Sequence, residues 1–242
     1  MFSLLLFLVS IAAGSVASVA GFGIGSLLTP FLAMSVGTKL AVAAISIPHF
    51  IGTAIRFWGL RGHVDRYVLW SFGVTSAAGG LIGALLQSRA ASRELTIVFA
   101  LLLIFVGISG LTGLAQRMRF HGPMAWIAGA VSGAFGGLVG NQGGIRSAAL
   151  LGFDLTRDTF VATATAIGLF VDGARMPVYL ATEHVQLLSI WPMIAIAAAG
   201  VIVGTLFGTS LLKRIPEKPF RMLVSLLILG LGIYMLVSAR PR

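Results

Sequence analysis

Three arginines, an aspartate, a histidine and two side-chain amides stand within stretches that are otherwise apolar: His49, Arg56, Asn141, Gln142, Arg146, Asp172 and Arg175. Ser46, His49, Thr53 and Arg56 follow one another at intervals of three, four and three residues, which puts them on one face of a helix. Thr165, Asp172 and Arg175 repeat the pattern later, with Gly168 where His49 would fall and Thr163 nearby but off that face. An arginine or aspartate inside a membrane span costs on the order of 3 kcal/mol on insertion scales, so such residues face a cavity or a partner. A guanidinium offers an oxyanion a planar fork of N–H donors. His49 and Asp172 are candidates for carrying a coupling proton, and Asp172 could instead hold Arg175 in position. Plainer roles stay open for each group. Arg56 lies near the end of its span and could snorkel to the surface. Asp172 and Arg175, three apart, could be a structural pair. Ser and Thr in spans commonly bond their own backbone. His49, after Pro48, could be a packed interhelical hydrogen-bonding group.

The stretch Gly137 to Arg146, GLVGNQGGIR, is the place around which these residues are organised. A helix does not run easily through it, because each glycine costs roughly 1 kcal/mol relative to alanine. Broken backbone at membrane depth is tolerated only where protein or a water-filled cavity surrounds it. A shorter copy, GFGIG, spans Gly21 to Gly25 and includes Gly23. Interrupted apolar segments at matching places in two halves are the sequence mark of a transporter binding site. Arg146 directly follows Asn141, Gln142, Gly143 and Gly144, at the start of the expected half-helix, where free N–H groups suit an anion. The plainer alternative puts Arg146 at the membrane surface and leaves the glycines a packing role.

The elements that must position these groups follow from composition. Of 242 residues 57% are hydrophobic and 10% charged, against about 25% charged in a soluble domain; mean hydropathy is +1.00. Apolar windows of about 20 residues cross the hydrocarbon core, and eight candidates lie near 2–20, 40–60, 66–88, 94–116, 122–140, 159–181, 187–212 and 219–238. The net charge of +10 sits at segment ends, where orientation and lipid headgroups account for it, so no nucleic-acid partner is expected. Cysteine is absent, which removes thiolate metal sites and disulfides. No Lys or Arg precedes Lys39, so the first segment is expected to be retained rather than cleaved as a signal peptide. No nucleotide, metalloprotease or serine-hydrolase motif appears, so neither an enzyme nor a metal or other cofactor is expected.

The halves are related by an offset of about 119 residues. Gly21–Gly25 falls on Gly140–Gly144, Ser46 on Thr165, Thr53 on Asp172 and Arg56 on Arg175; further on Trp70 meets Trp191, Gly79 meets Gly200 and Arg89 meets Arg214. The expected fold is an all-α integral membrane protein of two related four-segment repeats, residues 1–119 and 120–242. Each repeat is an interrupted or re-entrant helix plus three transmembrane helices. As a single helix, residues 2–36 would reach about 50 Å, against a core of about 30 Å. Loop charge points to inverted halves: Arg56, Arg61 and Arg66 mark one loop whose counterpart at 181–187 has no Lys or Arg. Arg89 and Arg93 face Lys213, Arg214, Lys218 and Arg221 at the other pair. Eight plain crossings in parallel halves are the alternative.

The stretches AGFGIGSLLTPFL, AGAVSGAFGGLVGNQGG and FVATATA together resemble the sulfite exporter TauE/SafE family. Its repeats read AGxxGxGGGxxxxPxL, followed by an AVATS-type helix. The first copy here has Ser26 within the glycine run and Pro30 in place; the second carries Asn141, Gln142 and Arg146 and no matching proline. The resemblance implies a multi-span permease of the bacterial inner membrane that moves small sulfur-containing oxyanions such as sulfite or organosulfonates, often outward. Asn141, Gln142 and the backbone at Gly23, Gly25, Gly143 and Gly144 would bind anion oxygens, while Arg146, Arg175 and Arg56 would neutralise charge. The expected partners are the anion and membrane lipid, with a homo-oligomer allowed. A passive anion channel and a non-transporting membrane scaffold are the competing functions.

Overall fold

Long runs of Leu, Ile, Val, Ala and Phe have nowhere to satisfy their backbone in hydrocarbon except within their own helices, and every regular element described is helical. The structure is a computed structural model that describes residues 1–114, 120, 122–212 and 216–239. The helices are α1 (Phe2–Ala20), α2 (Ile24–Val36), α3 (Thr38–Leu60), α4 (Arg66–Arg89, with a π-helical turn at Leu69–Gly73), α5 (Ser92–Thr112) and α6 (Pro123–Val139). They continue as α7 (Gly143–Leu150), α8 (Arg157–Thr182), α9 (His184–Ser189), α10 (Trp191–Leu212) and α11 (Glu217–Ser238). Starts are set by local chemistry: Asp65 accepts from the Val68 N–H at 2.9 Å, and the Thr156 hydroxyl caps α8. Lys213 and Arg214, which enter the loop-charge comparison, and residues 115–119 at the expected boundary between halves lie outside the described residues.

Six described helices are long and apolar enough to cross a membrane: α1, α3 with its following turn, α4, α5, α10 and α11. The other two of the eight expected segments differ for identifiable reasons. The α6 helix stops after 17 residues, roughly 25 Å. The α8 helix has 26 residues, but Asp172 and Arg175 lower its apolarity. Outward faces carry exposed Leu81, Ile82 and Leu85 on α4 and Leu223, Leu226 and Leu227 on α11. An apolar exterior of this kind around polar buried residues is the mark of a lipid-facing surface.

Lipid supplies no hydrophobic drive between helices, so close backbone packing must hold them. Two seams do this. Along α4 and α6, a Cβ on Gly83 would lie 2.1 Å from the Ala134 carbonyl oxygen, and one on Gly137 2.0 Å from that of Gly80. Along α1 and α10, a Cβ on Gly204 would lie 2.1 Å from the Ile11 carbonyl oxygen. Contacts advance together along both seams, so each pair runs parallel: Gly79 meets Ala130 before Gly83 meets Ala134, and Gly200 meets Ser10 before Gly208 meets Ser15. By contrast α5 and α11 run antiparallel, Gly107 meeting Leu229 and Gly110 meeting Ser225. So do α3 and α8, joined by Lys39–Glu183 near one end and His49–Asp172 in the middle. The packing is reciprocal: α1 and α3 both contact α10, while α6 and α8 both contact α4.

Candidate functional site

Two helix breaks meet at the centre of the molecule. Gly21 ends α1 with φ 75° and Gly140 ends α6 with φ 74°. Both are left-handed conformations that glycine adopts without a Cβ clash, at positions that the sequence offset had paired. After each break the chain re-enters a short helix, α2 or α7, whose amino end no side chain caps. The breaks touch. A Cβ on Gly25 would lie 2.2 Å from the Gly140 carbonyl oxygen, and one on Gly143 2.3 Å from Phe22 Cβ. Arg146, in the first turn of α7, donates from Nη2 to the Gly21 carbonyl at 3.3 Å. That bond places a cation at the negative end of α1.

The stripes on α3 and α8 face one another across these breaks. On each, an arginine turns back to the residue three before it. Arg56 Nη2 donates to Thr53 Oγ1 at 3.2 Å; Arg175 donates to Asp172 Oδ1 from Nε at 2.9 Å and lies 2.8 Å from it through Nη2. The device is the same, but one acceptor is neutral and the other charged. Asp172 is engaged through both oxygens: the second lies 2.7 Å from His49 Nδ1. Arg175 also donates from Nη1 to the Gly136 carbonyl at 2.6 Å, and the Tyr179 hydroxyl donates to the Gly137 carbonyl. The carbonyls near the end of α6 are thereby held by α8. A buried ion pair survives only when its remaining hydrogen-bonding capacity is met in this way.

Other buried groups are not met. Arg56 Nε and Nη1, Arg146 Nε and Nη1, both amide atoms of Gln142, Asn141 Nδ2, Ser26 Oγ and Thr29 Oγ1 have no hydrogen-bond partner among the described residues. Arg56 and Arg146 are 9% and 3% exposed, so both guanidinium groups are packed within the protein. A buried donor left unmatched costs about 1–3 kcal/mol and a charged one more, so a cluster of them calls for polar partners, water or a ligand. Gly168 is the notch between the two arginines: a Cβ there would sit 3.2 Å from Arg146 Nη1 and 3.4 Å from Thr53 Cγ2. Arg56 and Arg146 are close enough to repel each other. Free N–H donors on two like-charged forks suit an anion with several oxygens. Beside the α1 break lies a mainly apolar cavity of about 280 Å³, reached by Ala20, Phe22, Gly144 and Ser147, with Arg221 also on its wall.

The structure thus gathers the buried Asn141, Gln142, Arg146, Arg56, Asp172 and Arg175 and the half-buried His49 into one layer around the breaks that contain Gly23, Gly25, Gly143 and Gly144. It divides the arginines: Arg175 is saturated by protein groups, whereas Arg56 and Arg146 keep donors free. Thr163 works elsewhere, accepting from the Asp65 N–H at 2.9 Å. Tyr179, Gly168 and the unmatched hydroxyls of Ser26 and Thr29 belong to the layer, and only Gly168 had been placed on the stripe. Extending the stripe past Arg175 by four residues would have found Tyr179.

A model of the sulfite exporter TauE/SafE family matches residues 6–235. No curated protein and no solved structure matches the chain. The matched region takes in both broken helices and nearly all of the bundle around them, and the chain belongs to the sulfite exporter TauE/SafE family, a family of multi-pass membrane transporters.

Proposed function

We propose that the protein is a secondary transporter of small sulfur-containing oxyanions, sulfite or organosulfonates, exporting them across the bacterial inner membrane. One observation carries the reading: Arg56 and Arg146 are buried with unmatched N–H groups, and Gln142, which stands at the N-cap of the helix that carries Arg146, has an unmatched amide as well. In the proposal these two forks and the amides of Gln142 and Asn141 hold the anion oxygens, with backbone N–H groups at Gly143 and Gly144 contributing. Gly23 and Gly25 let the first break approach the site. Arg175 is a positioning residue, fixed by Asp172. His49, bonded to the same carboxylate, is the proton-coupling candidate, with Asp172 as its partner.

Residues 1–119 and 120–242 act as inverted repeats in this proposal, rocking about the central layer to alternate access. The antiparallel course of α3 against α8 and of α5 against α11, and the exchange of α1–α10 for α6–α4 packing, support that relation.

The test is thermal stability of the purified protein against sulfite, sulfate, thiosulfate, small sulfonates, small carboxylates and chloride, followed by flux in proteoliposomes. A ligand that binds only the folded form raises the melting point by mass action. A saturable shift and saturable flux with a sulfur oxyanion, both lost in Arg56→Gln and Arg146→Gln, are expected. Shifts with carboxylates alone would reject the sulfur assignment, and flux without saturation would make the protein a channel. Proton movement that accompanies sulfite and disappears in His49→Asn would support the coupling role; its persistence would remove His49 from it.

A further inference from the structure

The layer around the breaks holds more positive than negative charge. Arg56, Arg146 and Arg175 are all buried, and the one carboxylate whose charge acts on Arg56 and Arg146 is Asp172. Both oxygens of Asp172 are already taken, by Arg175 and by His49. The other buried acid, Glu183, pairs with Lys39 at 3.4 Å near the far end of α8. Arg56 lies 17 positions after Lys39 on α3, so that pair stands roughly 25 Å along the helix from Arg56. With His49 neutral, Asp172 balances Arg175 and two guanidinium charges are left; a protonated His49 raises the excess further.

The asymmetry between the halves creates this excess. Thr53 stands where the second half has Asp172, and Leu27 stands where it has Arg146. Arg175 is paired with a carboxylate, whereas Arg56 and Arg146 form no ion pair among the described residues. An uncompensated buried charge is strongly unfavourable, and a partner that removes it gains most when its own charge equals the excess.

From this charge balance we propose that the site selects dianions: it takes an oxyanion carrying two negative charges, and it rejects singly charged sulfonates and aminosulfonate zwitterions. The inference rests on the proposed anion site and names the charge class of its substrate, narrowing the organosulfonates to those that carry a second negative charge. A zwitterion fails for a second reason. Its ammonium group would need a carboxylate, and both oxygens of Asp172 already hold a protein partner. Bare hydroxyls at Ser26 and Thr29 add donors for oxygens but no charge.

The experiment uses three small probes with the purified full chain in detergent at one near-neutral pH: sulfate (dianion), methanesulfonate (monoanion) and 2-aminoethanesulfonate (zwitterion). Titration calorimetry gives their dissociation constants. Sulfate is expected to bind roughly tenfold or more tighter than methanesulfonate, and 2-aminoethanesulfonate not to compete. In Arg146→Gln, which keeps a donor for the Gly21 carbonyl, the preference for sulfate over methanesulfonate should collapse toward unity. Equal wild-type affinities for sulfate and methanesulfonate, or tight binding of 2-aminoethanesulfonate, would overturn the charge assignment while leaving the anion site standing. If none of the three and no sulfite binds saturably, the anion site itself falls and this inference with it. The wild-type series decides the matter should Arg146→Gln not fold.

Discussion

Thr53→Asp would copy the Asp172–Arg175 device into the first half and separates the two roles open to Arg56. In the second half the carboxylate oxygen sits 2.8–2.9 Å from two guanidinium nitrogens, and Thr53 already holds Arg56 Nη2 at 3.2 Å. The new charge centres would be about 4 Å apart, worth about 4 kcal/mol at an effective dielectric constant of about 20. Desolvating the added carboxylate offsets much of that in the empty protein. The melting point without ligand should therefore hold or rise, each kcal/mol being about 2–4 °C for a chain of this size. The anion loses the same attraction to Arg56. At 1.4 kcal/mol per decade, sulfite affinity should fall roughly a hundredfold to a thousandfold. Melting curves against sulfite concentration read both quantities. Sulfite affinity within about threefold of wild type would show that Arg56 does not serve the anion. A fall of more than about 10 °C in the empty protein would show that Arg56 has no need of a counter-charge.

Asp172→Asn should act in the opposite direction, leaving Arg175 buried without its charge partner at a cost of about 3–5 kcal/mol; a lower melting point and a poor folded yield are the readouts. Gln142→Leu removes an amide whose two polar atoms have no partner among the described residues, so stability should hold or improve while sulfite affinity drops about tenfold; a clear loss of stability would mean that the amide is matched in the folded protein. Gly25→Val should prevent the breaks from meeting, because even a Cβ would lie 2.2 Å from the Gly140 carbonyl oxygen; a variant that inserts, melts and binds sulfite normally would show that this contact is not needed. Gly204→Leu should separate α1 from α10 in the same way, since the Ile11 carbonyl oxygen occupies the space; a melting point near wild type would refute the seam's role.

Local chemistry made much of this protein legible before any packing was known. Glycine at 21 and 140 permits the left-handed ends of α1 and α6, a conformation that a Cβ makes costly. Apolar runs fix the helices because hydrocarbon leaves the backbone no other partner. Intervals of three and four place His49, Thr53 and Arg56 on one face, and Asp172 and Arg175 on another, by helical geometry alone. The length of α6 and the number of helices apolar enough to cross were less legible, since helix ends depend on where neighbours press.

Only the tertiary structure decided which charge is balanced. His49 and Asp172 are 123 positions apart in sequence, and their meeting depends on the antiparallel course of α3 against α8. That course also brings Gly168 opposite Thr53, opening the notch into which Arg146 reaches from a third helix. From sequence each of the three arginines is an expensive cation in an apolar segment, and only Arg175 has a carboxylate three residues away. Packing separates them: Arg175 finds a carboxylate and a carbonyl, while Arg56 and Arg146 face each other with donors to spare. Electrostatic pairing acts over a few ångströms, and no spacing along one chain specifies which distant residue will arrive within that reach.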